Sequence, residues 1–302
     1  NHPALSAVLV PGYDFTRDTP GFSELADLDP TVAAQLQQSS TSILDAQNTL
    51  QLNGSAVAIL NQSSTSILDQ SSTSILDSTL AEFGHGTMTA GIVHLVAPTA
   101  KIMPLKAFRA DGSSNLSDII RAIYYAADHG ANIVSMSFSM PQGSPGLQAA
   151  IQYALGKNVA MVASSGNDGS KTLVFPASYN GVQGIGSSSN TDLRSTFSNF
   201  GSGVVTFAAP GEGVITTYPG SNYAAGWGTS FSTPMFAGAA ALVLQARPAS
   251  KPGDITNALS KTKQISEMGY GRIDLYQSLM NLVSSSGSSS TTGTSISGTS
   301  GK

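Results

Sequence analysis

The chain has 302 residues with 14 basic and 18 acidic side chains, a net charge of −4, and 40% hydrophobic residues. At 11% charged it carries under half the roughly 25% typical of soluble domains, which together with its apolar content excludes disorder. No Lys/Arg run marks a nucleic-acid-binding stripe, no apolar stretch approaches the roughly 20 residues that span a bilayer, and the lack of Cys removes disulfides, thiol catalysis and Cys-ligated zinc.

In chain order, the apolar run Ala7-Val-Leu-Val10 ends in Pro11-Gly12. The octapeptide QSSTSILD then begins at Gln38, Gln62 and Gln70, the last two copies in tandem. Solenoids need longer periods and several stacked units, so residues 31–78 read as an insertion enlarged by duplication. Its Ile43-Leu44, Ile67-Leu68 and Ile75-Leu76 pairs are expected to dock on the body while the Ser/Thr runs face water.

From about residue 91 strands and helices alternate. Ser117 is the expected N-cap of a helix over 118–129, with Gly130 as its stop. A strand at 133–138 and a helix at 145–157 follow. Val159-Ala-Met-Val-Ala163 is apolar throughout, as in a parallel strand covered on both faces. Further along come a strand at 204–208 and a helix at 234–245, rich in Ala and Gly. This alternation predicts an α/β fold: a doubly wound, mostly parallel sheet with helices on both faces, in three layers. In such sheets sites form at the carboxyl ends of the strands. Seventeen of the nineteen residues in 284–302 are Ser, Thr or Gly, a linker-like composition that forms no core.

Three segments fall at those ends: Phe83-Gly-His85-Gly-Thr-Met-Thr-Ala-Gly91, Ala163-Ser-Ser-Gly-Asn167-Asp-Gly169 and Gly228-Thr-Ser230-Phe-Ser-Thr-Pro234. Taken in this order they resemble the subtilisin-like serine proteases, or subtilases, over residues 1–283 apart from the insertion. A serine hydroxyl is a weak nucleophile until a base takes its proton. His85, flanked by Gly on both sides, reads as that base with an accessible ring, and Ser230 as the nucleophile. Ser230 would lie just ahead of a helix whose first turn contains Pro234, where a missing N–H costs nothing. The helix N-terminus favours a developing oxyanion, and the resemblance assigns Asn167 as a side-chain donor to it. The two catalytic side chains are expected to meet at the open edge of the sheet.

The resemblance also implies that Ser137, Phe138 and Ser139 pair with extended substrate. Ser164, Ser165 and Gly166 would wall the first specificity pocket, near a cis proline at Phe175-Pro176. Ser139 replaces a Gly usual in the family and would narrow that pocket. Met88 stands where relatives have His, and Phe231 where many have an oxidisable Met. No cofactor is implied. Calcium sites occur in the family, but the loop usual soon after the histidine helix is absent, because Gly91-Ile-Val-His94-Leu-Val-Ala-Pro98 runs straight on.

A charge-relay triad also needs a carboxylate behind the histidine. In subtilases it follows an apolar strand as Asp-Thr/Ser-Gly, and no such motif occurs here. Asn1-His-Pro-Ala-Leu5 resembles the family segment that lies just after this acid, so the acid is expected upstream of Asn1. Asp14 and Asp18 read as turn or strand-end residues rather than substitutes. The leading reading is a secreted serine endopeptidase acting on polypeptides. The second is an inactive subtilase fold used as a surface binding or adhesion module. An α/β-hydrolase is disfavoured because Gly228-Thr-Ser230-Phe-Ser232 lacks the final Gly of G-x-S-x-G. The remaining histidines read as structural: His2 at a frayed start, His94 on an apolar helix end and His129 near a helix stop.

Overall fold

The computed structural model describes residues 2–31, 64–67 and 83–287. Strands β1 (Tyr13–Asp14) and β2 (Thr19–Pro20) precede β3 (Ser64–Ile67), helix α1 (His85–Val96), β4 (Leu105–Lys106), α2 (Leu116–Asp128), β5 (Ile133–Met136) and α3 (Pro145–Gly156). Next come β6 (Ala160–Ser164), β7 (Val182–Ser188), β8 (Phe207–Pro210), β9 (Val214–Tyr218), β10 (Asn222–Trp227) and the long helix α4 (Thr229–Ala246). Helix α5 (Pro252–Ala258), β11 (Thr262–Lys263), β12 (Arg272–Ile273) and α6 (Leu275–Gly287) close the order.

The main sheet has the order β11-β12-β8-β7-β6-β5. Every pairing from β12 to β5 is parallel, and only β11 is antiparallel. Strand β6 explains why its sequence is apolar throughout, since all five residues are buried. Met161 and Ala163 pack into a core shared with Ile119 and Ile123 of α2 and Leu147 and Ile151 of α3. Ala160 and Val162 point the other way, onto Phe236, Ala240 and Val243 of α4 and Ile255 of α5. One strand thus feeds two cores, and the three-layer α/β architecture follows.

Two small sheets flank this body, β2-β1-β4 and β3-β10-β9. Of the run Ala7–Val10, only Leu9 pairs, with Ile102 in parallel.

Several expectations are corrected. Asn115, not Ser117, is the N-cap of α2, because the helix opens at Leu116 and places Ser117 inside its first turn. Gly130 does provide the stop, at φ +79°. The strand expected at 204–208 lies at 207–210, since its pairing with β7 begins at Phe207 opposite Ile185. Helix α4 starts at Thr229, so Ser230 and Pro234 both lie within it. His2 is 4% exposed rather than frayed, packed edge-on against Tyr223. Helix α6 continues to Gly287, four residues into the Ser/Thr/Gly stretch, and 288–302 lie outside the described residues. So do Ile43-Leu44, Leu68 and Ile75-Leu76 of the repeats.

Candidate active site

Helix α1 opens at His85 because Gly84 precedes it at φ +88°, where a Cβ would also lie 2.5 Å from the Tyr218 ring. Glu24 caps the helix from outside: its Oε1 accepts from the backbone N–H of Gly86 at 2.9 Å and of Thr87 at 3.2 Å. These are donors that a helix start leaves orphaned. Burial pushes the Glu24 carboxyl above its usual range, while its bonds with Thr87 and the charge of Lys106 pull against that. On its other flank α1 is held to β9, where Thr216 Oγ1 donates to Met88 O and Thr217 Oγ1 to Thr87 O, both at 2.8 Å. Gly91 permits this closeness, since a Cβ there would lie 2.2 Å from Thr217 Oγ1.

Ser230 lies in the first turn of α4. Pro234 has no N–H to offer the Ser230 carbonyl four residues back. Ser137, just past β5, supplies the missing donor: its Oγ donates to Ser230 O at 2.9 Å. The Ser230 hydroxyl in turn donates to Ser137 O at 3.5 Å. A proline inside the helix therefore has a purpose that its reading as a helix-start residue did not anticipate. Beside it, Phe231 is fully buried and meets the His85 ring edge-on at 6.0 Å between centroids. Gly226 makes room for that ring, because a Cβ at 226 would stand 2.2 Å from Phe231 Cζ.

Asn167 follows β6 after Gly166, which sits at φ +97°. Its Oδ1 accepts from both the N–H and Oγ1 of Thr229 at 2.9 Å, which fixes the carboxamide beside Ser230. The same loop is braced by Asn199, whose Oδ1 accepts from Asp168 N at 2.9 Å and Ser170 N at 3.2 Å.

The structure thus gathers Ser230, Asn167, Ser137, Phe138 and Ser164 at the carboxyl ends of β5 and β6, with Ser164 Oγ donating to Phe138 O at 3.3 Å. Ser164 and Ser165 are fully buried, so these side chains brace the loop instead of lining a surface. Ser139 is half-buried and Gly166 buried. The peptide bond between Phe175 and Pro176 is cis.

Two expectations are corrected here. His85 is 6% exposed and Ser230 fully buried, so neither ring nor hydroxyl lies open. The cause is α1 itself, whose first turn sets the His85 ring edge-on to Phe231, a member of the cluster that includes Phe83, Met88 and Tyr218. Second, the imidazole and hydroxyl make no mutual hydrogen bond: His85 Nε2 is buried with no partner among the described residues, and Ser230 Oγ is turned to Ser137. Burial alone pulls the His85 pKa down to about 4, so the imidazole is neutral and basic in form near pH 7.

Asp14 and Asp18 are engaged elsewhere, Asp14 at the end of β1 and Asp18 in the turn that follows it. Although burial opposes it, hydrogen bonds from Thr16 and Arg17 hold the Asp14 carboxyl below its usual range. Asp18 pairs with Arg121.

A cavity of about 860 Å³ lies beside the site. Leu105 and Lys106 of β4 line it, as do residues 133–136 of β5, and His85 and Glu24 border it. Among the described residues β4 pairs only with β1 and β5 only with β6. Glu24 and Thr229 are the two functional residues that sequence reasoning missed. Nothing near Glu24 in sequence betrays it, since its partners are 62 and 63 positions downstream.

The profile of the subtilase family matches residues 1–282. Over 212 residues the chain is 38% identical to thermitase of Thermoactinomyces vulgaris, covering 65% of this chain and 75% of that protein. It is 36% identical over 204 residues to M-protease of Shouchella clausii, covering 65% of this chain but only 52% of that protein. The match therefore spans about half the length of that relative. Among solved structures, the prenylagaramide maturation protease PagA superposes with a TM-score of 0.59 at 28% identity, covering 68% of this chain and 85% of that one.

Proposed function

Because the chain belongs to the subtilase family, we propose that it is the catalytic body of a serine endopeptidase that cuts extended polypeptides through an acyl-enzyme on Ser230. The observation that carries this reading is the double anchoring of Asn167 Oδ1 on Thr229. It sets the donor arm of the carboxamide beside the nucleophile, where an oxyanion develops.

In this reading the hydroxyl leaves its long bond to Ser137 O and turns toward His85 Nε2. The imidazole takes its proton as Ser230 Oγ attacks the scissile carbonyl, then returns a proton to the leaving amine. Asn167 Nδ2 and the α4 N-terminus stabilise the oxyanion between those events. Water then attacks the acyl-enzyme by the same route in reverse. No metal enters these steps.

The carboxylate that orients the imidazole comes, in this proposal, from an extended apolar segment seated in the cavity between β4 and β5. The strand edges left unpaired among the described residues, and His85 at the cavity border, support that source. Without the acid, hydrolysis is expected to fall by roughly 3 × 10⁴ in kcat, the cost known for a subtilisin. We place the protein outside the cell, a reading that rests on family habit and on the linker-like composition of 284–302.

The test is hydrolysis of unfolded casein by the protein expressed from its own full-length gene. Ser230→Ala and His85→Ala should each abolish it while leaving the thermal transition in place. A folded, inactive protein would point instead to a binding module.

A further inference from the structure

Helix α1 takes its cap from outside because its own N-cap position cannot carry one. An N-cap side chain normally satisfies the second or third N–H of a helix. Gly84 holds that position, and a Cβ there would lie 2.5 Å from the Tyr218 ring. Glu24 supplies what is missing. Its Oε1 accepts from the N–H groups of Gly86 and Thr87, and Thr87 Oγ1 donates to its Oε2. Gly86 and Thr87 directly follow His85, so one carboxylate fixes the turn from which the imidazole projects.

The carboxylate is itself held in place. It opens a 3-10 turn, Glu24–Asp27, whose far end pairs with Arg17 and with Lys106 of β4, the latter at 2.7 Å. Arg17 also donates to Ala26 O at 2.7 Å and pairs with Asp14 of β1 at 2.9 Å. Burial works against the Glu24 charge and Lys106 favours it. Tyr218 of β9 faces the same group, its phenol raised by burial and by the Glu24 charge.

We propose that Glu24 is a positioning residue for His85: its carboxylate locks the first turn of α1 and holds the imidazole against Phe231 at the cavity border. The catalytic part of this inference rests on the reading of Ser230 and His85 as nucleophile and base. Proton transfer needs the two groups in register, and a displacement of about 1 Å costs about 10²-fold in rate. A negative charge next to the base also favours the imidazolium that forms as Ser230 attacks.

Two measurements on the protein expressed from its full-length gene test the proposal. The first is the NMR titration of the His85 Cε1–H, identified by its absence in His85→Gln, and it needs no activity. With the ring buried it should titrate at about 4. Glu24→Ala should raise that midpoint by about one pH unit or more toward the unperturbed value of about 6.5, because the loosened turn admits water to the ring. Glu24→Gln keeps an oxygen for both N–H groups and loses only the charge, so its midpoint should stay at or below that of the wild type.

The second is casein hydrolysis. Glu24→Ala should lower kcat by about tenfold to a hundredfold with KM within about twofold, and Glu24→Gln should recover most of the loss. Thr87→Val removes only the bond to Oε2 and should cost about threefold in kcat, which covers the case of an unfolded Glu24→Ala. A His85 midpoint unmoved by Glu24→Ala, or a kcat unmoved by either Glu24→Ala or Thr87→Val, overturns the proposal. A wild type that cuts no casein yet shows the His85 shift upholds the positioning and overturns the reading of Ser230 instead.

Discussion

Acidification should unfold this protein through His85, and a non-titrating residue there should remove that sensitivity. The imidazole is 6% exposed, and burial lowers its pKa from 6.5 to about 4. Between those values the unfolded chain binds a proton at this residue and the folded chain does not, so stability falls as pH falls. Each pH unit in that window is worth about 1.36 kcal/mol, which over the interval from 6.5 to about 4 gives a loss of about 3 kcal/mol. Below about pH 4 the folded state protonates too, and this contribution stops growing.

His2 is also lowered by burial, with the same sign, and Glu24 is raised, with the opposite sign. Both persist in a His85→Gln variant, so the difference between the two proteins isolates His85. Urea unfolding from pH 7.5 to 4, followed by the single tryptophan, Trp227 at the end of β10, measures it. The wild-type midpoint should fall by about 1 M or more relative to the variant over that range, for a urea slope of about 2–3 kcal/mol/M. Parallel pH profiles for the two proteins would refute the reasoning.

Removing Ser137 Oγ by Ser137→Ala leaves the buried Ser230 carbonyl without a donor, since Pro234 has none. The expected cost is about 1–3 kcal/mol in chemical denaturation, several times that of an exposed Ser→Ala change. Asn167→Ala should lower kcat for peptide hydrolysis by about 10²–10³, as loss of such a donor does in a subtilisin, with little change in KM. Gly226→Ala forces its methyl against the Phe231 ring and should destabilise by about 1–3 kcal/mol. Phe231→Leu should relieve much of this, which a double-mutant cycle reads as a non-additive pair.

What was legible in the sequence was what short-range chemistry writes there. Continuous apolarity marked β6 as a strand buried on both faces, and the three Gly-rich segments marked the ends of the elements that carry His85, Asn167 and Ser230. Long-range complements were not legible. Pro234 reads locally as a helix start, and only Ser137, 93 positions from Ser230, shows why it is tolerated inside α4. Glu24 looks like an ordinary surface acid until the fold brings α1 onto it. Gly on both sides of His85 suggested an open ring, yet the helix that begins there turns the ring inward onto Phe231. The repeats read as an insertion docked by its Ile-Leu pairs with Ser/Thr runs toward water, and the pairing of Ser64–Ile67 depends on an edge of β10 that lies more than 150 residues downstream.

The central claim is that Ser230 is the acylated nucleophile and His85 its base. Peptide mass mapping of the full-length protein after treatment with a fluorophosphonate tests it directly. A single adduct is expected on Ser230, lost in His85→Ala and unchanged in Tyr276→Ala, an exposed position on α6. A folded protein that takes no label, or takes it on another serine, would contradict the account.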